Sequence, residues 1–205
     1  MRGKQKPHEH YYAQRPESKA RLGLLRTRLR GRPFEFLTSA SVFSRTRIDA
    51  GTRLLVEAMV VPERGFVLDL GCGYGPIGIT AAAINPELQV VMVDVNERAV
   101  RLTRENAKRN HVKNVEVRPG ELYRPVGDTA FDVILSNPPI SAGMPIVASI
   151  ITDAPPHLRN AGSLQLVVRT QTGGKRVYRE MEKAFGNVRI LARKSGYRVL
   201  LSKKP

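Results

Sequence analysis

The chain has 205 residues, 41% of them hydrophobic, which is enough for one globular domain with a real core and too few for two large ones. Its single cysteine, Cys72, excludes an internal disulfide; no Cys/His group has zinc-ligand spacing and no apolar run approaches a membrane span, so a cytoplasmic protein without a metal is expected. The formal net charge of +16 is gathered at the two ends, with ten Lys/Arg against two Glu in residues 1–32 and eleven against two in residues 169–205, a distribution suited to neutralising a polyanion such as RNA.

In chain order, residues 1–33 read as a basic N-terminal extension and residues 34–205 as the domain proper. The extension holds His8, His10, Tyr11 and Tyr12. Over residues 21–30 its arginines are interleaved with Leu22, Leu24, Leu25 and Leu29, a spacing that fits an amphipathic strand as well as a helix. Strand-like runs at 66–70, 89–94, 115–118, 131–136 and 163–169 then alternate with helix-like stretches near 50–60, 76–85, 97–110, 144–159 and 174–185. That alternation predicts an α/β fold, a parallel sheet with helices on both faces. The end differs: 188–193 and 197–201, joined by Lys194-Ser195-Gly196, read as an antiparallel hairpin at the sheet edge.

The first strand of the domain runs into Asp69-Leu70-Gly71-Cys72-Gly73-Tyr74-Gly75-Pro76-Ile77-Gly78. Such glycines allow a sharp turn and a close approach of ligand to peptide groups. The next strand ends on Asp94, nineteen residues after Gly75, where a carboxylate takes both hydroxyls of a ribose. Dinucleotide sites cradle a pyrophosphate at this point. Asp69, just ahead of the loop, would repel an anion there and attract a cation, which favours S-adenosylmethionine with its sulfonium and ammonium.

These residues resemble class I S-adenosylmethionine-dependent methyltransferases. VLDLGCGYGPIG (67–78) with VVMVDVNERAV (90–100) is similar to that family's first two motifs, and SNPPI (136–140) to its fourth. HYYAQRPES (10–18), SVFSRTRIDAGTRLLVE (41–57) and residues 173–200 resemble the small-domain members related to RsmC-type enzymes, which methylate guanine N2 in small-subunit ribosomal RNA. The resemblance implies a Rossmann-like seven-stranded sheet with an antiparallel C-terminal hairpin. It implies Asp69, Gly71, Gly73 and Gly75 at the methionine end of the cofactor, Asp94 at the ribose, Asn96 and Glu121 at the adenine, and Phe43 and Thr52 closing over it, with Asn137 also in reach. The longer enzymes carry a whole extra N-terminal domain where this sequence has about thirty basic residues.

The strand at 131–136 stops at Asn137-Pro138-Pro139, which cannot extend a ladder. An exocyclic amine such as guanine N2 is a poor nucleophile because its lone pair is delocalised. Two acceptors, Asn137 Oδ1 and the Pro138 carbonyl, would hold its N–H groups and stabilise charge as it develops. Substrate contacts are expected from Pro139, Ile140, Arg15, Lys175 and Arg176. Ile140 offers only apolar contact, so a base would stack on Tyr11, Tyr12 or Phe43. The expected activity is methyl transfer to guanine N2 in ribosomal RNA, transfer RNA being another possible substrate; a protein glutamine methyltransferase or a non-catalytic RNA-binding assembly factor are the alternatives.

Overall fold

The structure is a computed structural model that describes residues 22–39, 47–138 and 143–205. It opens with an antiparallel hairpin, β1 (Leu22–Leu29) and β2 (Arg32–Ser39). Its turn, Arg30-Gly31, has φ of 49° and 76°, the two left-handed residues that a tight hairpin needs. A helix would have set Leu22, Leu25 and Leu29 on one face. The period of two instead leaves Leu22 and Leu24 at 62% and 49% exposure while Leu29, Phe34 and Phe36 are buried. The hairpin runs across residues 33 and 34, where the sequence suggests a boundary, so part of the expected extension is packed on the body of the domain.

After α1 (Ala50–Ala58) come β3 (Gly65–Leu70), α2 (Pro76–Ile84), β4 (Leu88–Asp94), α3 (Glu97–Arg109), β5 (Val115–Pro119), β6 (Phe131–Ser136), α4 (Met144–Thr152), β7 (Leu158–Arg169), α5 (Lys175–Phe185), β8 (Arg189–Lys194) and β9 (Tyr197–Lys203). The seven strands β3 to β9 form one sheet in the order β5-β4-β3-β6-β7-β9-β8. The first five in that order are parallel, and β9 runs antiparallel to both its neighbours. Alternate strand residues feed two cores. Val67, Met92, Val133, Leu135, Val167 and Val199 pack under α1, α2 and α3, whereas Leu68, Val91, Ile134, Leu166 and Leu200 pack under α4 and α5.

Two expected boundaries shift. The helix after Gly143 ends at Thr152 rather than near 159, because Pro155 and Pro156 have no N–H to continue its ladder; a short 3-10 turn, Pro155–His157, follows. β7 begins at Leu158 rather than 163, through an irregular stretch in which Ala161 has φ 62° and the pairing with β6 slips between Phe131 and Val133. The hairpin is fixed by α3. Asn106 Oδ1 accepts from the Leu37 N–H at 2.6 Å, and Asn106 Nδ2 donates to the Leu37 and Tyr74 carbonyls at 3.0 and 2.8 Å. One helical turn on, Asn110 pairs both backbone groups of Glu35 in the same way.

Candidate active site

The carboxyl ends of β3, β4 and β6 meet at a crevice, the position where open α/β sheets bind ligands. Its floor is the loop after β3. Gly71 and Gly73 have φ of 75° and 61°, and a Cβ built on either meets no atom within 4 Å, so each presents bare backbone to open space. Gly75 has another task. It is the left-handed N-cap of α2, and a Cβ there would fall 2.7 Å from Ile79 Cδ1.

Asp94 closes the loop. Its Oδ2 accepts from the Gly73 N–H and its Oδ1 from the Asn96 N–H, both at 2.8 Å. Each oxygen keeps a lone pair for another donor. Burial pushes its pKa up to about 6, with the two backbone hydrogen bonds opposing. Asp69 stands behind the loop, fully buried. Its Oδ2 accepts from the Gly78 N–H at 2.8 Å, and among the described residues its Oδ1 has no hydrogen-bond partner. Burial pushes this carboxyl up to about 7, the Gly78 bond opposing and the Asp94 charge adding. Asn96 serves as N-cap of α3, its Oδ1 accepting from the Arg98 and Ala99 N–H groups.

Two cavities flank the loop and share Gly71, Asp94 and Asn137. The larger, about 270 Å³, is walled by Val95, Leu122, Ile146 and Ile150 with Glu121 at its rim. These are apolar surfaces suited to a flat heteroaromatic ring. The smaller, about 70 Å³, is bounded by Thr52, Cys72, Tyr74 and Pro138. Tyr74 is fixed by an edge contact with Phe36 of the hairpin, centroids 5.7 Å apart. Cys72 is buried, with Sγ 3.7 Å from Thr103 Oγ1. Burial, with the charges of Asp94 and Asp69 adding, raises its thiol pKa well above the ordinary value.

Asn137 stands where the cavities join. Its Nδ2 donates to Thr52 Oγ1 at 2.9 Å and lies 3.4 and 3.5 Å from the two Asp49 oxygens. A flipped amide would set Oδ1 against that carboxylate, so these neighbours fix its orientation. Asp49 is itself held as N-cap of α1 by the Gly51 and Thr52 N–H groups. Ser136 Oγ donates to the Leu70 carbonyl at 2.7 Å, tying the end of β6 to that of β3. Of the sequence-expected residues, Thr52, Gly71, Gly73, Asp94, Glu121, Asn137 and Pro138 line the cavities; Asp69, Gly75 and Asn96 lie behind the wall. Lys175 and Arg176 are exposed at the start of α5. Arg15, Phe43, Pro139 and Ile140, together with Tyr11 and Tyr12, fall outside the described residues. Asp49 and Tyr74 are the residues sequence reasoning missed. An Asp two residues before Gly51-Thr52 is an N-cap signal, but nothing local connects it to Asn137.

Crevice, loop and carboxylates suit an adenosine with a cationic tail. Such a ring would sit in the apolar cavity with its ribose at Asp94, and the tail would lie along Gly71 and Gly73, in front of the buried Asp69. The sequence pattern of the methyltransferase small domain family matches residues 33–201. The chain belongs to that family. This methyltransferase uses S-adenosyl-L-methionine as its cofactor. It is 38% identical over 198 residues to the uncharacterized protein YbxB of Bacillus subtilis (strain 168), covering 96% of this chain and 98% of that one. To ribosomal RNA small subunit methyltransferase C of Hamiltonella defensa it is 32% identical over 166 residues, covering 79% of this chain and 48% of the relative, so it matches only about half of that longer enzyme. Among solved structures it is similar to a T. thermophilus 16S rRNA N2 methyltransferase (RsmC) in complex with AdoMet and guanosine. That match has a TM-score of 0.81 at 25% identity and spans 93% of this chain and 52% of the other. Among the described residues no helix is long and apolar enough to cross a membrane and no metal-binding cluster occurs.

Proposed function

We propose that this methyltransferase modifies the exocyclic N2 amine of a guanine in ribosomal RNA, in the cytoplasm. The observation that carries the reading is the fixed amide of Asn137. With Nδ2 taken by Thr52 and Asp49, the free end of the side chain is an acceptor at the join of the two cavities. An acceptor there suits a planar N–H nucleophile and offers nothing to a hydroxyl that needs a base. Net charge +16 and the likeness to ribosomal RNA methyltransferases support a base in RNA over an amide in protein.

Bound S-adenosylmethionine supplies an electrophilic methyl group on a sulfonium. The chain's own part is to bind and orient. Asn137 Oδ1 and the Pro138 carbonyl accept the two N–H groups of the amine, which points its lone pair at the methyl and stabilises the positive charge that grows on nitrogen. Ser136 and the ring of Pro138 fix the backbone, so little reorganisation is needed at the moment of transfer. Once methylated, the cationic nitrogen is acidic enough to lose its proton to water. Lys175 and Arg176, and the basic segment containing Arg15, would contact phosphates, with Pro139 and Ile140 against the base and Phe43 over the cofactor. Asn96 would act on the adenine side through its place at the start of α3.

Incubation with methyl-labelled cofactor and ribosomal RNA, naked and as assembled subunits, followed by digestion to nucleosides, is expected to yield N2-methylguanosine. Label on ribosomal proteins with none on RNA would overturn this reading in favour of glutamine methylation.

A further inference from the structure

Arg169 ends β7 and Tyr197 begins β9, and the two are register partners across that antiparallel pair. Arg169 Nε donates to the Tyr197 hydroxyl at 2.9 Å, and the guanidinium carbon lies 5.2 Å from the ring centroid. The ring itself rests on α1, since a Cβ on Gly51 would come within 2.9 Å of Tyr197 Cε1. Gly51 lies between Asp49 and Thr52, the two residues that hold Asn137. A continuous line of contacts therefore runs from Asn137 through the start of α1 and the Tyr197 ring to the Arg169 guanidinium.

The pleat places all of these groups on one side. Leu135, Val167 and Val199 face the core beneath α1; Asn137, Arg169 and Tyr197 each lie two residues from one of them and share that face. Height follows from register. Ser136 pairs with Leu166 on the adjacent strand, so Arg169 stands two residues beyond the level of Asn137, about 7 Å farther out along the strand direction. A nucleotide whose base reaches down to Asn137 must leave its phosphates in that outer zone.

The chemistry of Arg169 fits one. Arg26, Arg109, Arg118 and Arg159 are all paired with Glu or Asp. Arg169 is exposed, and among the described residues no carboxylate lies within ion-pairing distance of it. Its hydrogen bond to Tyr197 uses Nε, leaving both terminal nitrogens for a bidentate acceptor. The hydrogen bond, with the cation kept near the ring, holds the fork in place before anything binds.

We propose that Arg169, oriented by Tyr197, binds a backbone phosphate of the RNA nucleotide presented to Asn137. This rests on RNA being the substrate, and the test separates the two claims. RNA affinity, methyl-transfer rate and cofactor affinity are measured across a salt series for wild type, Arg169→Gln, Arg169→Lys and Tyr197→Phe. Arg169→Gln is expected to bind RNA about tenfold more weakly with cofactor affinity unchanged, and its slope of log K against log salt should be shallower by about 0.7 to 0.9, the signature of one lost phosphate contact. Arg169→Lys and Tyr197→Phe keep the charge, so both should keep the wild-type slope while losing several-fold in affinity. Intact cofactor binding shows that each variant is folded. If wild type methylates RNA and Arg169→Gln matches it in affinity and slope, the phosphate contact is overturned while the substrate reading stands. If wild type methylates no RNA, both fall.

Discussion

At the scale of single residues, the site depends on which end of one amide faces the crevice. Removing the Asn137 acceptor altogether, as Asn137→Ala, should lower the transfer rate about 10²- to 10³-fold. Thr52→Val keeps the shape of the side chain but deprives Asn137 Nδ2 of its 2.9 Å acceptor, and a rate about tenfold lower is expected. Single-turnover transfer checks both, and calorimetry should find cofactor affinity within a few-fold of wild type; a Thr52→Val enzyme at full rate would show that the hydroxyl does not hold the amide. Asn137 was legible in the sequence because a strand that stops at Asn-Pro-Pro is a local signal. That Asp49 and Thr52 aim it was not, even though Thr52 itself was expected at the site, because they stand 88 and 85 positions away and only the folded sheet brings them together. Asn96 shows the converse, for its motif position is visible in sequence while its side-chain bonds to Arg98 and Ala99 mark a helix cap.

At the scale of elements, the hairpin is attached to the domain by a helix that imitates a strand. Glu35 and Leu37 turn their N–H and C=O groups away from β1, and Asn110 and Asn106 answer each pair with one amide side chain. Asn106 is fully buried and also bonds the Tyr74 carbonyl. Asn106→Ala leaves three backbone groups unpaired, one buried and two half-buried, and should cost about 2 to 4 kcal/mol, lowering Tm by roughly 4–16 °C for a domain of this size. Thermal unfolding followed by circular dichroism checks it, and an unchanged Tm would mean that water replaces the amide without loss. The parallel strands and the final hairpin were readable from apolar runs and punctuation, since each is bounded by turn chemistry within a few residues. Residues 21–30 were not. Their leucines satisfy both periods, and what decides between them is the pairing partner, Arg32–Ser39.

At the scale of the whole molecule, the two buried carboxylates link folding to pH and, on the proposed placement of the cofactor, to its binding. Asp69 and Asp94 have pKa values raised from an ordinary 3.8 to about 7 and about 6. Between pH 4 and 7 these two groups therefore hold more protons in the folded chain than in the unfolded one. The contribution of these groups to stability is complete below about pH 4 and is lost as pH rises through 6 to 7. A cation prefers the ionised carboxylates, so S-adenosylmethionine should bind more tightly at pH 8 than at pH 5.5 and raise Tm by more there. Thermal shift at saturating cofactor measures this, and Asp69→Asn should flatten most of the difference. Equal shifts at both pH values would show that neither carboxylate responds to the cofactor's charge.

Cys72 gains a meaning from that same environment. A sulfonium is an alkylating agent, and the nucleophile it most readily meets in proteins is a thiolate. This chain has one sulfhydryl, in the wall of the smaller cavity beside Gly71 and Gly73, where the proposed cofactor tail would lie. Burial and the charges of Asp94 and Asp69 keep that sulfur protonated. On the proposed placement of the cofactor, the carboxylates that would draw the donor in would thus also keep the enzyme from methylating itself.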